Sequence, residues 1–224
     1  MIDADDTLWQ NIIYFEAAMD DYLALVSHPT MSLPQLRTAF DELESKRITT
    51  HGYGSNAFYN SMVVGFEQLT GTACDETQAQ RIAALADQIR TAEIELLPGV
   101  AETLQELSRR HRLILVTKGN HQEQTNKLER SGLAPLFHHV EVLHEKHSDA
   151  YQQVITRHTC TPQDTWMIGN SPRSDINPAL QAGLHAVFVP HSSTWSLEHE
   201  DLDEPPHGQR LMRLSSFADL AEHF

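Results

Sequence analysis

The sequence predicts an α/β protein built on a parallel sheet covered by helices on both faces, with a long helical stretch ahead of most of the strands. From residue 98 onward, short apolar runs alternate with helical patterns of roughly ten residues. That rhythm produces βα units, and a parallel sheet so built buries both of its faces. From about residue 9 to about residue 95, apolar residues instead recur at steps of three and four, and no convincing strand appears. A chain of 224 residues, 40% of them hydrophobic, suits one large domain or a core with a smaller insert.

The elements follow in order. Ile12, Ile13, Phe15, Met19, Tyr22, Leu23 and Val26 form the apolar stripe of an amphipathic helix. Helical patterns also cover residues 32–46, with Ser32 as N-cap ahead of Pro34, and residues 56–70 and 77–96; the Gly-punctuated segment 51–55 interrupts them. A helix over 100–110 precedes the apolar run 112–117, which ends in Lys118-Gly119-Asn120. A helix over 121–130 is closed by Ser131-Gly132, and a strand over 140–143 leads to a helix over 149–157. A strand over 165–169 is followed by a helix over 175–182 with Gly183 as its C-terminal stop. A strand over 186–189, an acidic, Pro-rich surface loop over 198–210 and a helix over 216–224 complete the chain.

Charge narrows the function. Lys and Arg number 16 against 31 Asp and Glu, a formal net charge of -15. No basic stripe exists to neutralise a phosphate backbone, so nucleic acid is not an expected partner. An anionic small molecule would meet a repulsive field that a bound cation and a few placed basic groups must offset. No apolar run is long enough to span a membrane, and MIDADDTLWQ lacks the basic and apolar regions of a secretory signal. Cys74 and Cys160 stand far apart and read as reduced thiols of a cytoplasmic protein. The 14 histidines are scattered without ligand spacing.

In open parallel sheets ligands gather at the carboxyl ends of strands. After the first apolar run stand Asp3, Asp5 and Thr7; after the second, Thr117; after the third, Lys146; after the fourth, Asn170 and Asp175. Carboxylates, a hydroxyl, an amine and an amide are the inventory for holding a divalent cation and a phosphoryl group together.

These residues resemble, in order, the four motifs of the haloacid dehalogenase-like superfamily. Asp-Ala-Asp-Asp-Thr matches D-x-D-x-T, Leu-Val-Thr-Lys-Gly-Asn supplies the Ser/Thr motif at Thr117, Lys146 is the lysine motif, and residues 169–175 are the acidic motif. The resemblance implies a Rossmann-like core over 1–8 and 97–224, with an α-helical cap over 9–96 inserted after the first strand. It further implies a Mg²⁺-dependent phosphatase acting on a small phosphorylated metabolite. Asp3 would attack phosphorus to give an aspartyl-phosphate. Asp5 would protonate the leaving alcohol and then activate water. Lys146 would offset the charge of anion attacking anion. Thr7, Thr117, Lys118 and Gly119 would face the phosphoryl group, and Tyr53, in the cap loop, would be a substrate contact. Mg²⁺ would be held by Asp3, the Asp5 carbonyl, Asn170 and Asp175. The dehalogenase branch lacks an acid at the position of Asp5. A dehalogenase, which Asp5 disfavours, a phosphomutase, or a weakly catalytic member binding a phosphorylated ligand or a protein stands as the alternative.

Two departures carry expectations. Asn170 stands where the family commonly has Asp, which removes a charge from the metal site. Only Met1 and Ile2 precede Asp3, whereas such a strand normally has five or six apolar residues; a native start upstream of Met1 is expected. Asp175 itself could cap the following helix as well as hold the metal. Trp9 reads as a packing residue.

Overall fold

Val, Ile and Leu fill the strand-forming runs because a parallel strand buries both its faces. The computed structural model describes residues 1–26 and 28–224. Its strands are β1 (Ile114–Lys118), β2 (His139–Leu143), β3 (Trp166–Gly169), β4 (His185–Phe188) and β5 (Leu211–Arg213). Its α-helices are α1 (Ile12–Leu25), α2 (Leu33–His51), α3 (Ser55–Thr70), α4 (Glu76–Thr91), α5 (Val100–Arg110), α6 (His121–Arg130), α7 (Ser148–Arg157) and α8 (Asn177–Gln181). The chain divides into two compact units, one of Met1–Ile12 with Ile94–Phe224, the other of Ile13–Glu93.

In the larger unit β1 pairs in parallel with β2, and β4 lies parallel between β3 and β5. The first residues join the two groups, because Ile2 bridges in parallel to both Leu115 and Ile168. Ile2 N donates to Ile114 O (2.9 Å), Val116 N to Ile2 O (2.8 Å) and Asp3 N to Ile168 O (2.9 Å). The sheet therefore runs β2, β1, residues 1–3, β3, β4, β5, and the Asp3 segment is central.

Alternation along the strands sorts side chains between two layers. Leu115, Ile2, Ile168 and Val187 pack with Val100, Leu104 and Leu107 of α5 and Leu128 of α6. Ile114, Val116 and Met167 pack with Tyr151 and Val154 of α7 and Ala179 of α8. Helices thus cover both faces, as the sequence predicts.

Several boundaries differ from the sequence reading. α2 continues to His51, since nothing in 47–51 breaks a helix. α4 stops at Thr91, and Leu96 instead bridges antiparallel to Trp9. The expected helix over 175–182 begins earlier, as a wide turn over Pro172–Ile176 that runs into α8. Its N-cap is Ser171, whose hydroxyl accepts from Ser174 N, so Asp175 is not the cap. The final helix is a 3₁₀ segment, Phe217–Glu222, whose buried Phe217 and Leu220 repeat at the three-residue period of that helix. β5 and a short turn over Ser196–Glu198 flank the acidic loop and were not expected.

In the smaller unit Tyr22, Phe40, Phe58, Met62 and Ile82 anchor the core. Asp75 caps α4 by accepting from Gln78 N at 2.8 Å. Glu44 of α2 is buried among these helices. Burial, with Asp41 and Glu16 nearby, outweighs Arg37 and pushes its carboxyl up to about 8.

Candidate functional site

Register places the site. With Ile2 level with Leu115 and Ile168, Asp3 falls level with Val116 and Gly169, and Thr117 and Asn170 stand one residue further toward the carboxyl ends. The crossing loops then deliver Lys146 and Asp175 to the same end.

Lys146 is the hub. Its ammonium donates to Asp3 Oδ1 and, at 2.7 Å, to Asp175 Oδ1; all three side chains are at most 8% exposed. The other Asp3 oxygen accepts from Thr7 Oγ1 at 2.8 Å. Thr7 Oγ1 also lies 3.1 Å from the Asn170 side-chain oxygen, but a hydroxyl has one proton and the nearer carboxylate takes it. Asp175 is fixed on its second oxygen by Ser171 N at 3.0 Å. Gly169 is required for this approach: a Cβ there would land on the Asp175 carboxyl group.

Two carboxylates sharing one ammonium leave the trio with one excess negative charge. Burial and then Asp175 push the Asp3 carboxyl up, to about 7, against the opposing pull of Lys146 and the Thr7 hydrogen bond. Burial alone would lower Lys146, but Asp175 and Asp3 hold its ammonium well above the usual range. The donor set of Asp3, Asp175, the Asn170 amide and the Asp5 carbonyl is all oxygen and carries excess negative charge, which fits a hard cation such as Mg²⁺. Among the described residues no three His, Cys, Asp or Glu form a ligand cluster, so the fit rests on two carboxylates and neutral oxygens.

Asp5 has a separate set of partners. Trp9 Nε1 (2.8 Å) and Lys127 Nζ (2.9 Å) donate to its Oδ1, and Gln124 Nε2 (2.8 Å) to its Oδ2. Burial would raise this carboxyl, yet Lys127 and the hydrogen bonds from Gln124, Lys127 and Trp9 together bring it below its ordinary value. Trp9 is fully buried in the core and serves Asp5 as well as packing.

Thr117 is buried at the end of β1. Lys118 follows it, its ammonium pairing with Glu198 and donating to Ser174 Oγ at 2.9 Å. Ser171 Oγ (2.6 Å) and Ser174 Oγ (2.5 Å) donate to the other Glu198 oxygen. Gly119 has φ 135, a conformation L side chains rarely adopt, and its bare Cα lets the Gln124 amide come close. Tyr53 lies in the smaller unit, half-buried between α2 and α3.

The larger unit therefore gathers Asp3, Thr7, Lys146, Asn170 and Asp175 into one hydrogen-bonded group, with Asp5 beside it on its own donors. Sequence reasoning missed Gln124, Lys127, Ser171, Ser174 and Glu198. Gln124 and Lys127 are three apart on α6 and buried despite their polarity; the sole signal was their closeness to the Thr117 motif.

Residues 26–189 match the family model described as haloacid dehalogenase-like hydrolase. The human N-acylneuraminate-9-phosphatase is 29% identical over 126 residues, 54% of this chain and 51% of that protein; the chain thus spans about half the length of the curated relatives it matches. A haloacid dehalogenase-like family hydrolase from Xanthomonas campestris superposes with a TM-score of 0.82 at 26% identity, over 99% of this chain and 92% of that one. The hydrolase YfnB of Bacillus subtilis, solved with magnesium bound, has the same fold, with a TM-score of 0.67 at 18% identity over 99% of this chain and 96% of that one.

Proposed function

This chain belongs to the haloacid dehalogenase-like hydrolase family, and within it we propose a Mg²⁺-dependent phosphatase of a small phosphorylated metabolite. The observation that carries the reading is Asp5, an acid two residues beyond Asp3 with three donors of its own. A halide leaving group needs no proton, whereas an alkoxide does. The phosphatase named among the curated relatives supports the same chemistry.

In this reading Asp3 attacks phosphorus, and Thr7 and Lys146 hold its two oxygens in place for the attack. Lys146 offsets the charge of an anion approaching an anion. Thr117, with Lys118 and Gly119 behind it, receives the phosphoryl oxygens. Asp5 gives a proton to the leaving alcohol, then takes one from water to release Asp3. Asp3, Asp175, Asn170 and the Asp5 carbonyl would hold Mg²⁺, which supplies further positive charge to the transferring phosphoryl group. A phosphate placed beside Asp5 raises that group's affinity for the proton it must carry. The smaller unit, Ile13–Glu93, acts as the cap in place of the wider span 9–96, with Tyr53 as a substrate contact that excludes water during transfer. The free thiols Cys74 and Cys160 suit a reducing cytoplasm, and no helix among the described residues is long and apolar enough to cross a membrane.

The test is hydrolysis of an aryl phosphate with Mg²⁺ and with a chelator, by the protein and its Asp3→Asn variant. Turnover that needs Mg²⁺ and vanishes in Asp3→Asn is expected. Turnover that survives Asp3→Asn overturns the assignment.

A further inference from the structure

Gln124 holds an anomaly. Among the described residues its Oε1 is the buried side-chain oxygen or nitrogen that finds no hydrogen-bond partner, and such an atom costs about 1–3 kcal/mol. Rotating the amide offers no escape. Its Nε2 sits between two acceptors, Asp5 Oδ2 at 2.8 Å and the Lys118 carbonyl at 3.2 Å, so a flip would set oxygen against two oxygens. The orientation is fixed, and the orphan acceptor belongs to the residue that grips Asp5.

We propose that Gln124 is a positioning residue for proton transfer: its amide N–H groups tie Asp5 Oδ2 to the Lys118 carbonyl at the end of β1 and so aim the carboxylate, a grip kept although it leaves Oε1 buried and unpartnered. The inference rests on the phosphatase reading and deepens it. Among the described residues Asp5 Oδ1 is occupied by Trp9 and Lys127, and Oδ2 accepts only from Gln124, so the acceptor capacity left to the carboxylate is on Oδ2, the oxygen that Gln124 aims.

The steps balance. An Asp3 oxygen bonds to phosphorus as the P–O bond to the alcohol breaks, and Asp5 gives its proton to that oxygen. The protonated alcohol then leaves. Water next bonds to phosphorus through its oxygen, with one hydrogen passing to Asp5 and the other staying on the phosphate product. The Asp3–phosphorus bond breaks, and phosphate and the Asp3 carboxylate are released.

The experiment is rapid-mix kinetics on 2,4-dinitrophenyl phosphate, whose leaving group needs no proton, and on glycerol 2-phosphate, whose leaving group does. It compares the wild type with Gln124→Met and, should methionine disturb folding, Gln124→Ala. In the variants the activated ester should give a burst of one dinitrophenolate per site at the wild-type rate. Turnover afterwards should be at least about tenfold slower, a modest part of what general acid–base catalysis supplies. The alkyl ester should show no burst, a similar fall in kcat and an unchanged KM. Unchanged turnover, or burst rate and turnover falling together, overturns the role of Gln124. A wild type inactive on both esters removes the phosphatase reading and this proposal with it; an active wild type with unaffected variants removes this proposal alone.

Discussion

Replacing Lys146 by methionine keeps the volume of the side chain and removes the cation that Asp3 and Asp175 share. Both carboxylates are buried, and among the described residues no other cation lies within salt-bridge distance of either. Breaking a buried ion pair by deleting one partner costs about 3–5 kcal/mol, because the charge left behind is uncompensated. For a chain of this size each kcal/mol moves Tm by about 2–4 °C, which gives a fall of about 6–20 °C at neutral pH. The sign with pH follows. Without the ammonium the carboxyl of Asp3, already raised to about 7, keeps its proton to still higher pH. A raised carboxyl makes its stabilising contribution in full below its unfolded value of 3.8, and loses it as pH climbs through the folded value. The deficit of Lys146→Met should therefore be small near pH 5 and grow toward pH 8. Calorimetric melts across that range, with chelator and with Mg²⁺, test it, and Mg²⁺ should raise the variant's Tm more than the wild type's by replacing lost positive charge. A Tm within about 2 °C of wild type at neutral pH, or a deficit that shrinks as pH rises, would refute the charge balance described for the site.

Further outcomes follow from the same geometry. Asn170→Asp adds a carboxylate to the candidate metal site and should tighten Mg²⁺ about tenfold in calorimetric titration, whereas Asp175→Asn should weaken Mg²⁺ and abolish metal-dependent turnover. Glu44→Gln should flatten the pH profile of unfolding: Glu44 is displaced from 4.5 to about 8, so its contribution is full below 4.5 and lost by 8. Each tenfold change in proton affinity is worth about 1.36 kcal/mol, so the variant should gain up to about 5 kcal/mol relative to wild type at alkaline pH in denaturant melts. Tyr53→Ala should leave Tm unchanged and blunt discrimination across a panel of phosphorylated metabolites; retention of every kcat/KM would remove Tyr53 as a substrate contact.

The primary sequence determined the parts of this protein that depend on local repetition. Apolar runs at 112–117 and 165–169 become β1 and β3 because two buried faces admit only apolar side chains, and the stripe from Ile12 to Val26 becomes α1 because its spacing matches the helical turn. The positions of Asp3, Thr117, Lys146 and Asp175 were legible too, since polar residues just beyond buried strands gather at one sheet edge. Tertiary structure decided what one residue does to another far away in sequence. Nothing local tells that Gln124 and Lys127 turn inward to hold Asp5, that Glu198 reaches from an acidic loop to Lys118, Ser171 and Ser174, or that Asp3 and Asp175 compete for one ammonium. Hydrophobic period is a property of neighbours along the chain. A buried charge, by contrast, is tolerated only where folding brings it a partner, and that partner can come from anywhere in the sequence.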